Sequence, residues 1–283
     1  VDYEIIEPFM EVAMTDQHAS FAGTIPEHYD KYLGPMIFEP YARDLAQRAA
    51  KVSGSSVLEI AAGTGVATRF LRDALPAATK VVATDLNEPM LQIAKTKFKS
   101  TEKIEFKPAD AMSLPFPDQV FDVAICQFGV MFFPDKLASF REVARVLKPQ
   151  GSYIFSVWDS LNHNPMMKSI HELTTRLYAE NPPNFYQTPF GFYQIDPIKE
   201  MLLSTGFQEI TFSVLKCSLS SPSAKDAATG LVKGNPISLQ ILERKTHSIE
   251  EVMSHVEREL ANKFGKAPVR SSMQAIVVQA QKA

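Results

Sequence analysis

From Ser56 onward the chain alternates short apolar runs with amphipathic stretches. Residues 57–60, 81–84, 104–106, 121–126 and 153–157 have the length and composition of buried strands. The segments between them carry apolar residues at helical spacing. Residues 88–98 have Asn87 placed to cap a helix and Pro89 in its first turn, and residues 135–147 set Leu137, Phe140, Val143, Ala144 and Leu147 on one face. This alternation predicts βαβ units, hence an α/β fold with a mostly parallel central sheet.

The flanks read differently. Residues 41–51 look helical, and residues 1–40 hold Tyr29, Tyr32 and Phe38 among turn-forming residues. Residues 1–55 are therefore expected to form a helical segment folded over a cleft, ahead of a core at 56–160. Residues 161–195 follow, rich in Asn, Pro, Phe and Tyr and too long for an ordinary connection. The polar stretch 162–164 before Pro165 marks a loop, and the region as a whole reads as a substrate lid. Its aromatics Tyr178, Phe185, Tyr186, Phe190, Phe192 and Tyr193 suggest an apolar or aromatic acceptor or the packing of the lid onto the sheet. In 196–283 alternation returns at Ile210, Phe212 and Val214, two helix-like stretches cover 223–233 and 247–264, and 273–278 reads as a buried strand. That portion is expected to complete the sheet and to insert a helical cap.

Composition narrows the function without naming it. An apolar share of 45% with 22% charged residues excludes a disordered or fibrous chain, and a formal net charge of -3 offers no overall positive field for nucleic acid. Cys126 and Cys217 lie on separate strand-like runs, so free thiols in a reducing, cytoplasmic setting are the simpler reading. No apolar run approaches the roughly 18 residues of a membrane span.

The chemistry concentrates at Val57-Leu58-Glu59-Ile60-Ala61-Ala62-Gly63-Thr64-Gly65, a strand ending in a small-residue turn before a helix-like stretch. Gly63 and Gly65 can take positive φ and let a ligand approach the backbone. A pyrophosphate would be repelled by Glu59, whereas the cationic amino group of a methionine moiety would suit it. The third glycine of a dinucleotide fingerprint is replaced by Thr68. About twenty residues further on, Asp85 closes the second strand, where a carboxylate can accept both ribose hydroxyls of an adenosine. Leu86 and Met90 are placed to pack on the base.

These segments, together with Thr84-Asp85-Leu86-Asn87, the run from Pro108 through Asp110, Ala111 and Met112 to Phe116, Phe121-Asp122 and Arg145-Val146-Leu147-Lys148-Pro149, resemble the ordered motifs of class I methyltransferases dependent on S-adenosylmethionine (SAM). The likeness covers roughly residues 30–160 and is nearest to the bacterial small-molecule group of methyltransferase type 11 and ubiquinone/menaquinone proteins. It implies a Rossmann-like core with a helical and loop cap, and SAM as cofactor with S-adenosylhomocysteine (SAH) as product. It further implies that Asp110 and Ala111 hold the adenine with Met112 flanking it, and that Gln127 stands at the cofactor. Phe128 would lie near the methyl, with Met131 and Phe132 facing the acceptor, and Tyr29 would close over SAM. With Glu59, Ala61, Gly63, Thr64, Gly65, Asp85, Leu86 and Met90 these complete the candidate cofactor site. The sequence departs from the pattern where Ala61 and Gln150 replace usual glycines and Ala62 replaces Cys or Gly.

The expected activity is direct in-line methyl transfer to a small-molecule acceptor. No metal is called for, since no His or Cys cluster has ligand spacing. His163 and His171 are the candidates for a general base on their ordinary pKa. An NAD(P)-dependent oxidoreductase, which shares the logic of Asp85, and a SAM-binding protein without turnover remain alternatives.

Overall fold

The computed structural model describes residues 19–21, 23–52 and 54–283. Residues 1–18, part of the segment expected to cover the cleft, lie outside the described residues. Strands β1 Ser56–Ile60, β2 Lys80–Asp85, β3 Ile104–Pro108, β4 Phe121–Gln127, β5 Leu147–Trp158, β6 Phe207–Ser221 and β7 Val269–Lys282 form one sheet in the order β3-β2-β1-β4-β5-β7-β6. The first five are parallel, and β7 lies antiparallel between β5 and β6.

Helices cover both faces, so the central strands are apolar on both sides. Along β4, Phe121, Ala124 and Cys126 enter one hydrophobic cluster and Val123 and Ile125 the other. On the face of Val123 and Ile125, α2 Glu39–Ala50 and α3 Val66–Ala74 contribute Leu45, Ala49 and Leu71; on the face of Phe121, Ala124 and Cys126, α5 Lys136–Val146 contributes Phe140 and Val143. The helix starts follow the expected chemistry only in part. Pro89 opens α4 Glu88–Thr96, but the Asn87 side chain makes no capping bond to it and instead accepts from the Phe21 N–H at 3.3 Å. Asp135 does cap α5, accepting from Ala138 N–H at 2.8 Å.

Two motif residues fix the frame away from any cleft. Asp122 accepts from the N–H groups of Ser55 and Ser56 and from Lys148 Nζ at 2.7–3.0 Å. Against the upward pull of burial, these donors hold its carboxyl down at about 2. Arg145 donates to the carbonyls of Leu114 and Phe116 at 2.9 and 2.7 Å, pinning the loop that follows β3.

The flanks differ from the sequence expectation in several places. Residues 25–50 form a continuous helical run: α1 Ile25–His28, a widened i→i+5 stretch at Tyr29–Phe38 that contains Pro35, then α2. The lid region is partly core. After a single turn at Leu161–His163, α6 Pro165–Leu177 buries Met166, Met167 and Ile170 against β7 and α10 Ile249–Phe264. The supposed loop marker Asn164 is fully buried; its amide donates to the carbonyls of Asp159, Ser160 and Gln274 at 2.9–3.2 Å and accepts from Gln274 N–H at 3.0 Å. Isolated polar residues before a proline looked like a loop because their partner, β7, lies far along the chain. After α7 Ile195–Ser204, the chain forms β6 and then leaves the sheet to build α8 Ala224–Lys233, α9 Ile237–Arg244 and α10 before returning as β7. The short α9 was absent from the sequence reading.

Gln150, one of the departures from the family pattern, has φ 63° in the exposed first residues of β5. A non-glycine residue there carries a steric cost of about 1–2 kcal/mol, partly offset by the entropy a glycine gains on unfolding. Gln150→Gly is expected to stabilise the chain by about 0.5–1 kcal/mol in denaturant unfolding, and a net loss of stability would contradict the strain assigned to this position.

Candidate functional site

The carboxyl ends of the parallel strands open into a cavity of about 500 Å³. Its first wall is the turn after β1, where Ala61, Gly63 and Gly65 all have positive φ, at 54°, 56° and 78°. Ala62 N–H donates to the Thr84 carbonyl at 2.8 Å, and Gly63 N–H donates to Asp85 Oδ2 at 2.8 Å. Asp85 Oδ1 accepts from Asn87 N–H at 2.8 Å, so this one carboxylate organises the turns after both β1 and β2. Burial raises the Asp85 pKa, while the bonds from Asn87 and Gly63 oppose the rise.

The two glycines do different work. A Cβ on Gly63 would meet only Met90 Cε at 3.5 Å and the Tyr29 hydroxyl at 4.0 Å, both at the cavity. A Cβ on Gly65 would stand 2.9 Å from Ala94 Cβ, and Gly65 does not line the cavity. Its missing side chain lets α4 pack against the start of α3. Ala61 has the positive φ at which alanine is strained, and its methyl fills the space above Gly129, where another Cβ would come within 2.5 Å.

Behind the turn, Glu59 is 1% exposed within β1, and its Oε2 has no hydrogen-bond partner. The neighbouring Thr64 hydroxyl is likewise buried and unpartnered, and both line a small recess next to Tyr29 and Gln127. Burial pushes the Glu59 carboxyl up to about 8, with Thr68 opposing and Asp85 adding to the shift.

Further along the strand ends, Leu86, Met90, Asp110, Ala111 and Met112 line the main cavity. Asp110 Oδ1 accepts from Met112 N–H at 2.9 Å and shapes that turn. Leu86 is 65% exposed, so it forms a rim and not a packed wall. After β4, Gln127 Nε2 donates to the Phe38 carbonyl at 2.9 Å, which ties the helical run to the sheet. Phe128 has φ 55° and stacks on Trp158 with ring centroids 3.5 Å apart. Met131 and Phe132 line the same space, and Tyr29 stacks on Phe38 at 4.7 Å.

The candidate bases are not there. His163 and His171 are absent from the cavity wall: the first sits on the surface turn before α6 and the second on α6 itself. In burying its apolar face, α6 leaves His171 away from the cavity. Of the lid aromatics, Phe185, Tyr186 and Phe190 reach the cavity, whereas Tyr178 packs edge-on to His247 elsewhere. Sequence reasoning missed Phe21, Trp158, Leu231, Asn235 and Met273. Phe21 meets Tyr29 and Phe132 edge-to-face at 5.7 and 6.0 Å, and no local pattern announces that contact. Among the described residues, no helix is long and apolar enough to cross a membrane.

A parallel sheet with this strand order, an antiparallel seventh strand and a glycine turn answered by an acidic residue on β2 defines a class I methyltransferase. The family model described as Methyltransferase domain (Methyltransf_11) matches residues 58–155. The demethylmenaquinone methyltransferase of Staphylococcus saprophyticus is 31% identical over 169 residues, covering 56% of this chain and 72% of the relative. Among solved structures, the YcgJ protein of Bacillus subtilis superposes with a TM-score of 0.55 at 21% identity, over 86% of this chain and 98% of its own. A phosphoethanolamine N-methyltransferase 2 of Haemonchus contortus, solved with phosphomonomethylethanolamine and SAH, gives 0.57 at 16% identity, over 91% and 56%. The chain belongs to the class I SAM-dependent methyltransferases, within the methyltransferase type 11 family. It is thus an enzyme of the methyl-transferring class that uses SAM, and the nicotinamide alternative is set aside.

The separate roles of the glycines give a direct test. Gly65→Ala combines backbone strain with overpacking on Ala94 and is expected to cost about 2–4 kcal/mol in denaturant unfolding. Gly63→Ala carries only the strain, about 1–2 kcal/mol. Equal losses would contradict the division between packing and cavity-facing glycines.

Proposed function

We propose that the cavity holds SAM over the ends of β1, β2 and β3 and a small, largely apolar methyl acceptor over the ends of β5 and β7. The observation that carries this reading is the division of its lining. Neighbouring strands lie about 4.8 Å apart, so the four steps from β2 to β7 span about 19 Å. Carboxylates and turn backbone occupy one end; Trp158, Met167, Phe190 and Met273 occupy the other.

The polar end suits the cofactor residue by residue. Glu59 Oε2 and the Thr64 hydroxyl are buried without partners, a costly state that a ligand bringing N–H donors would relieve. They are assigned to the cationic amino group, with Gln127 and the backbone at Ala61 and Gly63 alongside. Asp85 is assigned to the ribose hydroxyls, Asp110, Ala111 and Met112 to the adenine edge, and Leu86 and Met90 to its faces. Tyr29 closes over the site, its phenol kept neutral by burial beside Asp85.

When bound, SAM supplies a methyl group on a positively charged sulfur, so the protein need not activate an electrophile. The tasks left to the chain are to align the acceptor's nucleophilic atom and to exclude water. Phe128, Met131 and Phe132 form the wall between the two ends and serve both tasks. With His163 and His171 away from the cavity, the acceptor is assigned a nucleophile that needs no histidine base. Demethylmenaquinone, the substrate named for the staphylococcal relative, has an apolar body of this general kind; the assignment made for this chain stops at the class. Cys126 and Cys217 are both free, which fits a reducing, cytoplasmic setting.

A pH experiment tests the cofactor half. Glu59 keeps its proton to about pH 8 in the ligand-free fold, whereas its ordinary pKa is 4.5. Between those values the folded state holds a proton that the unfolded chain lacks, so this residue's contribution to stability falls as pH rises. A cationic amino group beside it favours the carboxylate, so binding below pH 8 should expel a proton. Calorimetric titration of SAH at pH 6.5 in phosphate and in Tris is expected to show release approaching one proton, with affinity rising toward pH 8. Glu59→Gln should abolish the release and weaken binding about tenfold, an order of magnitude typical of a lost charge-assisted hydrogen bond. Proton-neutral binding by the unmodified chain would refute the assignment.

A further inference from the structure

At the acceptor end the lining is apolar except at Tyr186, whose hydroxyl is bonded, and at Asn235, which sits in the connection between α8 and α9 and is 9% exposed. Its amide Nδ2 donates to the Leu231 carbonyl at 3.2 Å. The Tyr186 hydroxyl donates to that same carbonyl at 3.0 Å and stands beside the Asn235 amide. A carbonyl can only accept, so the amide nitrogen must be the atom facing Leu231. The orientation of the side chain is thereby fixed, and Oδ1 is left without a hydrogen-bond partner among the described residues.

The backbone around Asn235 is also held. Its carbonyl accepts from the Ser238 N–H at 3.2 Å and the Ser238 hydroxyl at 3.0 Å. Next to it, Gly234 packs so closely on the Tyr29 segment that a Cβ would stand 3.0 Å from Tyr29 N. The lone free acceptor is therefore carried on a rigid connection and not on a mobile loop. No Lys, Arg or His is among the described residues lining the cavity. An anionic ligand would lose its hydration there and find no counter-charge among these side chains.

Resting on the division of the cavity proposed above, we infer that Asn235 is the specificity-determining residue of the acceptor end, accepting through Oδ1 a hydrogen bond from an uncharged ligand that pairs an apolar body with one O–H or N–H donor. Tyr186 is a positioning residue that helps hold the amide in this orientation. A site built to accept such a bond discriminates strongly against an analogue that lacks the donor, because the oxygen, cut off from water by the ligand, is then left unpaired.

The test uses three probes of one shape: 4-tert-butylphenol, its methyl ether 4-tert-butylanisole, and the anion 4-tert-butylbenzoate. Each is titrated calorimetrically into the full chain at pH 7, with and without saturating SAH. The phenol is expected to bind at least tenfold tighter than the ether, and the benzoate not to bind at millimolar concentration. Asn235→Leu should bring phenol and ether within twofold of each other while leaving SAH affinity unchanged, which also reports that the variant is folded. Equal binding of phenol and ether by the unmodified chain, no binding of the phenol, or binding of the benzoate overturns the inference, and none of these outcomes depends on the variant. A chain that binds no SAH yet still prefers the phenol would instead overturn the cofactor assignment and leave the role of Asn235 standing.

Discussion

The site depends on one buried carboxylate. Asp85 accepts from Gly63 N–H through one oxygen and from Asn87 N–H through the other, each at 2.8 Å. It thereby fixes two adjacent turns whose backbones would otherwise point polar groups into a cavity with nothing to satisfy them. The three positive-φ residues Ala61, Gly63 and Gly65 hold a conformation that local preference disfavours, and the Asp85 bond and the Ala62 to Thr84 bond keep them there. Removing that carboxylate would release the turn as well as whatever it holds, so the same side chain serves fold and site together.

Sheet order then converts this turn into a reaction chamber. Because β1 lies between β2 and β4, the chain crosses over on both sides of it and leaves a crevice at the strand ends. The polar groups fall on the β1 to β3 side because β1 and β2 turn directly into α3 and α4, and the loop after β3 is folded on the Asp110 carboxylate. The apolar groups fall on the β5 to β7 side because the cap helices α8 and α9 and the segment after α6 must bury their own hydrophobic faces there. Phe128, stacked on Trp158 and strained at φ 55°, stands between the two regions. Two demands of different chemistry, a charged cofactor and an apolar partner, are met by two parts of one chain with separate sequence logic.

That division also explains what could be read from sequence. The core was legible because parallel strands are apolar throughout and their turns use glycine and aspartate for local reasons, so Gly63, Asp85 and Asp110 stood out and do lie around one cavity. The packing of α4 on Gly65 was not legible, because a glycine that admits a ligand and one that admits a helix leave the same trace in one dimension. His163 and His171 attracted a catalytic reading through their ordinary pKa, a property that carries no information about where α6 would place them. Asn164 looked like a loop residue before proline and Asn235 drew no reading, yet each is buried through contacts with residues distant in sequence or with the preceding helix. Long-range partners, not local propensity, decided these cases.

The most direct test is a calorimetric titration of the unmodified chain with SAH, with NADH titrated in parallel. A cavity organised by Asp85 and Glu59 for a cationic methionine end should bind SAH at one site per chain and show no heat with NADH. Binding of NADH, or the absence of SAH binding by a folded chain, would contradict it.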